Sequence, residues 1–331
     1  MNVCGQCLKV LCSLTMFISP VVLGCDVSNE KSISQKEMSK LNDLTGKFSF
    51  TATLNMEAIG QSGVEITFKG TTDSQFVLDK TGILSVSLVD KSQSVSFMGY
   101  RSDSNEYFSV NLDPNQTALG YMSGKRANSG TLKLVEPTIR ITNDLTFNSE
   151  GNQSKIKFPN SPVDFLNSKS VRNGNVSGDV LKNIMSGPLK PQRINKKSTS
   201  QNPGENYARS HELLQKFVGD FIAEDGLNIS SRLVADGRYA MTHYTGPVDL
   251  IAFIAYNNSG RFFQYMLVGE DLSVPVYLQG TMQGDGTILF ADPFNPAGLK
   301  MSVSFNPNGG YSTTSTVNGK VIDQKNLKPK Q

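Results

Sequence analysis

One spacing pattern occurs twice in this chain, and it restricts the fold more than any single motif does. Tyr100, Gly124, Gly130 and the Glu136-Pro137 step recur as Tyr256, Gly280, Gly286 and Asp292-Pro293, every member displaced by the same number of residues. GTLKLVEP (130–137) overlays GTILFADP (286–293) without a gap, and upstream LTGKF (44–48) matches FVGDF (217–221). Anchors held in one register imply one fold used twice. The 331 residues give room for two domains of roughly 120 residues, each long enough to bury its own core.

Each copy opens with a helical pattern and then changes period. Ser34-Gln-Lys-Glu37 is a capping box, and Met38, Leu41 and Leu44 follow at helical spacing up to Gly46; Leu213, Leu214 and Phe217 do the same before Gly219. Beyond these points the alternation is two: Val64, Ile66, Phe68; Leu84, Val86, Leu88; Phe263, Tyr265, Leu267. Turn signals such as Asp79-Lys-Thr-Gly82, Asn257-Asn-Ser-Gly260 and Gly284-Asp-Gly286 are spaced for hairpins. A meander of antiparallel strands hides its edges by curling into a barrel. The expected fold class is therefore all-β with short helices: two tandem antiparallel barrels, each led by a short helix whose apolar residues plug or flank one end.

Cysteine usage divides the chain. Cys4, Cys7, Cys12 and Cys25 are the whole complement, so the folded part holds no disulfide, thiolate nucleophile or cysteine metal site. Lys9 is followed by the uncharged VLCSLTMFISPVVLG, too short for a spanning helix and ending in small Gly24, which reads as a signal segment. The net charge of +3 is concentrated: Lys169, Arg172, Lys182, Lys190, Arg193, Lys196 and Lys197 stand against Asp179 alone. The expected organisation is a signal peptide at 1–24, a tether at 25–37, a first barrel at 38–158, a basic linker at 159–205 and a second barrel at 206–331. The linker lacks the interleaved aromatics of a nucleic-acid surface, and a solvated connector or a membrane-surface contact accounts for its charge.

VVLGC (21–25) resembles the lipobox of bacterial lipoproteins, with Val22, Gly24 and Cys25 in the matching places and Leu23 where a smaller residue is usual. The resemblance implies lipidation of Cys25, a membrane anchor, and residence in the bacterial cell envelope, out of reach of nucleic acid. GYRSDSNEYFSVNLDPNQTALGYMSG (99–124) and AYNNSGRFFQYMLVGEDL (255–272), each preceded by an L-x-G-aromatic or V-G-x-aromatic opening, resemble an uncharacterised bacterial domain family. Its hallmarks are a Gly-Tyr-Asp step and a Ser-Gly-Lys-Tyr hairpin. Arg101 and Asn257 replace its Asp, and Phe48 and Phe221 its opening Trp. The resemblance implies a lipocalin-like barrel in each half and carries no catalytic residues.

Little chemistry is written into the chain. His211 and His243 are the only histidines, and the first copy has none. His211 reads as a solvated helix residue. His243 shares a strand face with Tyr239 and Met241, where a lone imidazole admits a haem or metal ligand as the sharper reading and a hydrogen-bonded position as the plainer one. Glu136-Pro137 and Asp292-Pro293 are the acids matched between copies; the proline favours a turn role over paired general acids. No nucleophile elbow, phosphate loop or calcium loop occurs. Catalysis is not expected, and no cofactor is assigned, with lipid or haem as conceivable guests. The aromatic richness of 239–267 places the candidate pocket in the second barrel, drawn from Tyr239, Met241, His243, Tyr256, Phe263 and Tyr265. Two function classes remain: a membrane-anchored binder of a small apolar or amphipathic ligand, and a non-enzymatic structural or protein-interaction lipoprotein with solid barrels.

Overall fold

The computed structural model describes residues 27–187 and 211–330, apart from positions 117, 177, 259, 271, 273, 296 and 308. The signal peptide, Cys25 and most of the basic linker lie outside the described residues. Helix α1 (Val27–Ser39) leads into β1 (Gly46–Asn55), β2 (Glu65–Val77), β3 (Gly82–Val89), β4 (Ser92–Arg101), β5 (Glu106–Leu112), β6 (Gly120–Arg126), β7 (Leu132–Val135), β8 (Thr142–Asn148), β9 (Gly151–Lys157) and β10 (Leu166–Gly174). Helix α2 (Val180–Met185) follows. The second set is β11 (Gly219–Ile222), β12 (Asn228–Val234), β13 (Tyr239–Thr245), β14 (Leu250–Asn257), β15 (Phe262–Gly269), β16 (Val276–Met282), β17 (Ile288–Ala291), β18 (Leu299–Phe305), β19 (Tyr311–Val317) and β20 (Lys320–Pro329).

Each set is an up-and-down antiparallel meander closed on itself, β1 pairing with β10 and β11 with β20. There are ten strands in each, where a lipocalin has eight; the added strands widen the interior that side chains must fill. The seams differ. Barrel one closes through a long ladder from Lys47↔Gly174 to Leu54↔Leu166, with one bulge between Lys47 and Phe48, whereas barrel two closes through Phe221↔Pro329 and Ile222↔Lys328. The chain divides into two compact units, one built on each barrel, with Pro114–Leu119 and the residues from Ile184 onward grouped with the second.

The repeated spacing appears as repeated register. Tyr100 pairs with Tyr107, Tyr107 with Gly124 and Gly124 with Leu134 in the first barrel; Tyr256 pairs with Phe263, Phe263 with Gly280 and Gly280 with Phe290 in the second. Glycine is required there because the strands approach closely. A Cβ on Gly124 would stand 1.8 Å from the Lys133 carbonyl oxygen, and one on Gly280 would stand 2.6 Å from the Phe290 ring. The equivalent ring pairs, Tyr100–Tyr107 and Tyr256–Phe263, sit edge to face at 5.1 and 4.9 Å between centroids.

Two expected boundaries need correction. Residues 27–37, read as a tether, are helical: no Gly or Pro interrupts them, and Lys31 and Gln35 both bind Asp79, at 2.9 Å to its carboxylate and 2.8 Å to its carbonyl. The stretch from 159, read as linker, contains β10, so the first barrel runs on to Gly174 rather than stopping at 158. β10 carries no apolar alternation because its inward residues beyond Leu166 are Ser168, Ser170 and Arg172, a consequence of the interior described next.

Candidate functional site

The two interiors are built from equivalent positions and filled differently. In barrel two, side chains from nearly every strand meet in one cluster around Phe217, Phe221, Tyr256, Phe263, Tyr265, Phe290 and Tyr311. Phe217 contacts Phe263, Phe305 and Tyr311 edge to face, and Tyr265 lies 5.6 Å from Phe290. Leu214 and Phe217, from the leading helical segment, stop one end. Near the other end Lys325 binds Asp225 and, at 3.3 Å, Asp323. Tyr244 and Tyr265 bring their hydroxyls within 3.2 Å inside this barrel. Burial pushes Tyr265 and Tyr311 well above the ordinary tyrosine value, and raises Tyr244 despite hydrogen bonds with both. The three phenols are neutral packing groups.

Of the six residues expected to line a pocket here, Tyr256, Phe263 and Tyr265 reach this interior and Tyr239, Met241 and His243 do not. Along β13 the latter alternate with Ala240, Thr242 and Tyr244. The register Ala240↔Ile254 and Tyr244↔Leu250 puts that even-numbered set inward. Tyr239 instead donates its hydroxyl to the carbonyls of Gln116 and Ala118, at 3.1 and 3.0 Å within the same compact unit. His243 faces outward with Nε2 2.7 Å from Asp249 Oδ1, so it is not a ligand to anything held inside the barrel. His211 is half-buried, its Nδ1 3.2 Å from the Gly237 carbonyl. Glu136 and Asp292 each accept backbone N–H groups from the turn that follows, Thr138 and Ile139 in one case, Phe294 and Asn295 in the other.

The buried apolar cluster of barrel one lies at the end where α1 enters. Met38 and Leu41 are fully buried and pack with Leu44 against Ile83, Tyr100, Tyr107, Leu132 and Leu134. Tyr107 donates to a Glu37 carboxylate oxygen at 3.0 Å. Burial and this carboxylate push the Tyr107 hydroxyl far up. Burial also works against ionisation of Glu37, but hydrogen bonds from Lys40 and Tyr107 outweigh it and hold the carboxyl below its usual range.

Further along the axis the inward positions turn polar. Ile83 and Met98 belong to the plug layer; by alternation Ser85, Ser87, Ser94 and Ser96 project into the barrel beyond them, in register as Ser85↔Ser96 and Ser87↔Ser94. The belt continues through Ser74 and Thr72 on one side and Ser109 and Asn111 on the other. Across the barrel Asn152, Ser154, Ser168 and Ser170 pair with one another. Some members satisfy each other, as in Thr72–Ser87 at 2.8 Å, Ser74–Ser85 at 2.6 Å and Ser154–Asn143 at 2.8 Å. Ser94, Ser96, Ser168 and Ser170 have no side-chain partner among the described residues and are partly accessible. Inward-facing groups of a closed barrel can be accessible only through its lumen, so the belt surrounds space that water enters. Toward the open end come Phe50 and Phe68, edge to face at 6.3 Å, with Leu54, Ile66, Ile156 and Leu166 beyond.

Strand register identifies what fills this space in the other copy. Ser109, between Met98 and Met122, matches Tyr265, between Ile254 and Leu278; Asn111 matches Leu267; the Ser87↔Ser94 pair matches Tyr244↔Leu250. Two tyrosines and two leucines are replaced by three serines and an asparagine, and the first barrel keeps a lumen. Sequence reasoning passed over these serines because polar residues alternating with Leu84, Val86, Val95 and Phe97 look like a solvent face. The signal that would have found them is phase: inward anchors Ile83, Tyr100 and Tyr107 share their parity with the serines, not with the apolar set. The partners of belt hydroxyls are other hydroxyls and amides, groups suited to holding a guest and not to abstracting a proton.

No family model matches the chain, and no curated protein does. Among solved structures it is similar to a crystal structure of a protein of unknown function from the DUF3598 family of Nostoc punctiforme, at 10% identity over 88% of this chain and 97% of that one, with a TM-score of 0.18.

Proposed function

We propose that this protein is a non-catalytic carrier or sensor: an envelope lipoprotein anchored to the membrane through Cys25 that holds a small amphipathic ligand in its first barrel. The observation that carries the reading is the accessible hydroxyl belt at positions that the second copy fills with Tyr244, Leu250, Tyr265 and Leu267. Pockets that hold small molecules are concave, mostly apolar and supplied with a few orienting polar groups, and a lumen walled by phenylalanines, aliphatics and serines meets that description. A solid second barrel favours the structural or protein-interaction role for that half.

Two measurements test the proposal. Native mass spectrometry of the full chain purified from its own host is expected to show a bound small molecule, absent from a Ser109→Tyr variant that installs the second barrel's residue. Cys25→Ser is expected to shift the protein to the soluble fraction and to abolish fatty-acid labelling, because two acyl chains at about 0.8 kcal/mol per buried methylene hold a protein on a bilayer. A variant that stays membrane-bound with labelling unchanged overturns the anchor.

A further inference from the structure

We infer that the lumen of barrel one takes an amphipath with a singly charged anionic head, a fatty acid carboxylate being the simplest, and that Arg172 holds the charge. The inference rests on the carrier reading above and adds the chemistry of what is carried. Along the strands of this barrel the inward positions include two cations, Arg126 and Arg172, and no carboxylate; Glu65, Asp73, Glu106 and Asp144 all have outward parity. Arg126 is exposed at the rim, where its Nε and Nη1 donate to the carbonyls of Gly130 and Lys40. Arg172 is half-buried, between the plug and the belt. Its register partner is Phe48, whose ring centroid lies 5.4 Å from Cζ, and the next inward residue of β10 is Ser170. Of the N–H donors that a guanidinium carries, one on Nη2 reaches the Asp43 carbonyl at 3.0 Å; Nε is buried without a partner, and no carboxylate pairs with the group among the described residues. A cation held partly out of water without a counter-charge is costly, and an anion entering the lumen removes that cost. Ser170, Ser168 and Asn152 spend no side-chain group on protein partners among the described residues and can complete the hydrogen bonding of a small oxyanion. From Arg172 to Leu166, β10 runs about 20 Å toward the open end. Phe50, Phe68, Leu54, Ile66 and Ile156 line that course with the apolar surface an alkyl tail needs. An ammonium head would meet a like charge there, and an uncharged head would leave Arg172 uncompensated.

The test uses the full chain at neutral pH and three probes of one tail and compact heads, octanoate, 1-octanol and octylamine, with binding followed by titration calorimetry. The expected result is tighter binding of octanoate than of octanol by about tenfold or more, equivalent to about 1.4 kcal/mol, with octylamine the weakest. Arg172→Met, which keeps an apolar stem against Phe48, should bring octanoate down to the level of octanol. Arg172→Lys should keep part of the preference and Arg126→Met all of it. Thermal midpoints establish that each variant is folded. Should Arg172→Met unfold, hydrogen exchange of the unaltered chain locates the anion instead: octanoate is expected to protect β1 and β10 beside Arg172, and protection confined to β11–β20 overturns the inference. Equal affinity for octanoate and octanol, preference for octylamine, or a preference that survives in folded Arg172→Met overturns the anionic head while the carrier reading stands. If none of the three binds, and native mass spectrometry shows no guest that Ser109→Tyr removes, both fall together.

Discussion

Phe263→Ala tests the claim that the second barrel is solid. Phe263 is fully buried on β15, in register with Tyr256 and Gly280, and its ring lies 4.9 Å from Tyr256, 6.1 Å from Phe290 and 6.3 Å from Phe217. Truncation removes a ring whose neighbours are themselves locked: Phe290 against Gly280, Phe217 against Phe305 and Tyr311. With little freedom to collapse, the site should lose both the transfer free energy and a cavity term, about 3–5 kcal/mol. At a urea slope of about 2 kcal/mol per molar, the midpoint for this unit falls by about 2 M. The chain has no tryptophan, so hydrogen exchange read by mass spectrometry is the suitable assay, as it assigns the loss to a barrel. Amides of β14–β16 should exchange faster while those of β4–β6 are unchanged, and any ligand carried from the host should be retained. A loss below about 1.5 kcal/mol would show that the aromatic cluster rearranges to fill the gap and would refute a solid interior. Loss of a bound guest would restore the pocket to the second barrel.

Gly124→Ala should open the first barrel, since its Cβ would overlap the Lys133 carbonyl, whereas Gly284→Ala, with nothing within 4 Å, should alter stability by no more than about 0.5 kcal/mol; thermal unfolding of the pair checks this. Acidification should weaken both barrels. In Glu37, Glu136, Asp220 and Asp225 burial opposes ionisation, yet hydrogen bonds, from Lys40, the Ile139 backbone, Arg232 and Lys325 in turn, outweigh it and depress the carboxyl in the folded state. A depressed folded value stabilises above the ordinary carboxylate range, about pH 4, and that stability disappears as pH falls through the folded values. Denaturation midpoints measured from neutral pH downward should decline below about pH 5; a flat profile would show that these pairings carry no net stability.

The fold was legible because turns and aromatic anchors are local signals. The Tyr-Gly-Gly-acid spacing gave the duplication, and the strings around Tyr100 and Tyr256 lead directly to paired strands. The site was less legible for a physical reason. Assigning pocket residues from aromatic density assumes that rings mark a cavity, yet in a barrel of this width Phe217, Phe263 and Phe290 are what removes one. The lumen is recorded instead in small residues, Ser85, Ser96, Ser109 and Ser168, whose meaning depends on facing inward, and facing is settled by register across strands distant in sequence. The same property concealed β10, whose inward serines have no contrast with its outward lysine.

The unequal seams give the two rings different mechanical characters. Barrel one is riveted along the whole of β1, so parting it means breaking a long ladder while the Met38–Leu44 cork holds one end. Barrel two is fastened by a clasp: two pairings, one of them at Pro329, which has no N–H to give, and the bond from the Lys330 N–H to the Asp220 carbonyl. Such a ring should breathe at the clasp well before it melts, baring the edges of β11 and β20 while its aromatic filling stays in place. An exposed edge of this kind is the template on which a strand from another molecule adds. The half filled with aromatic rings is thus the half that can lengthen its sheet outward.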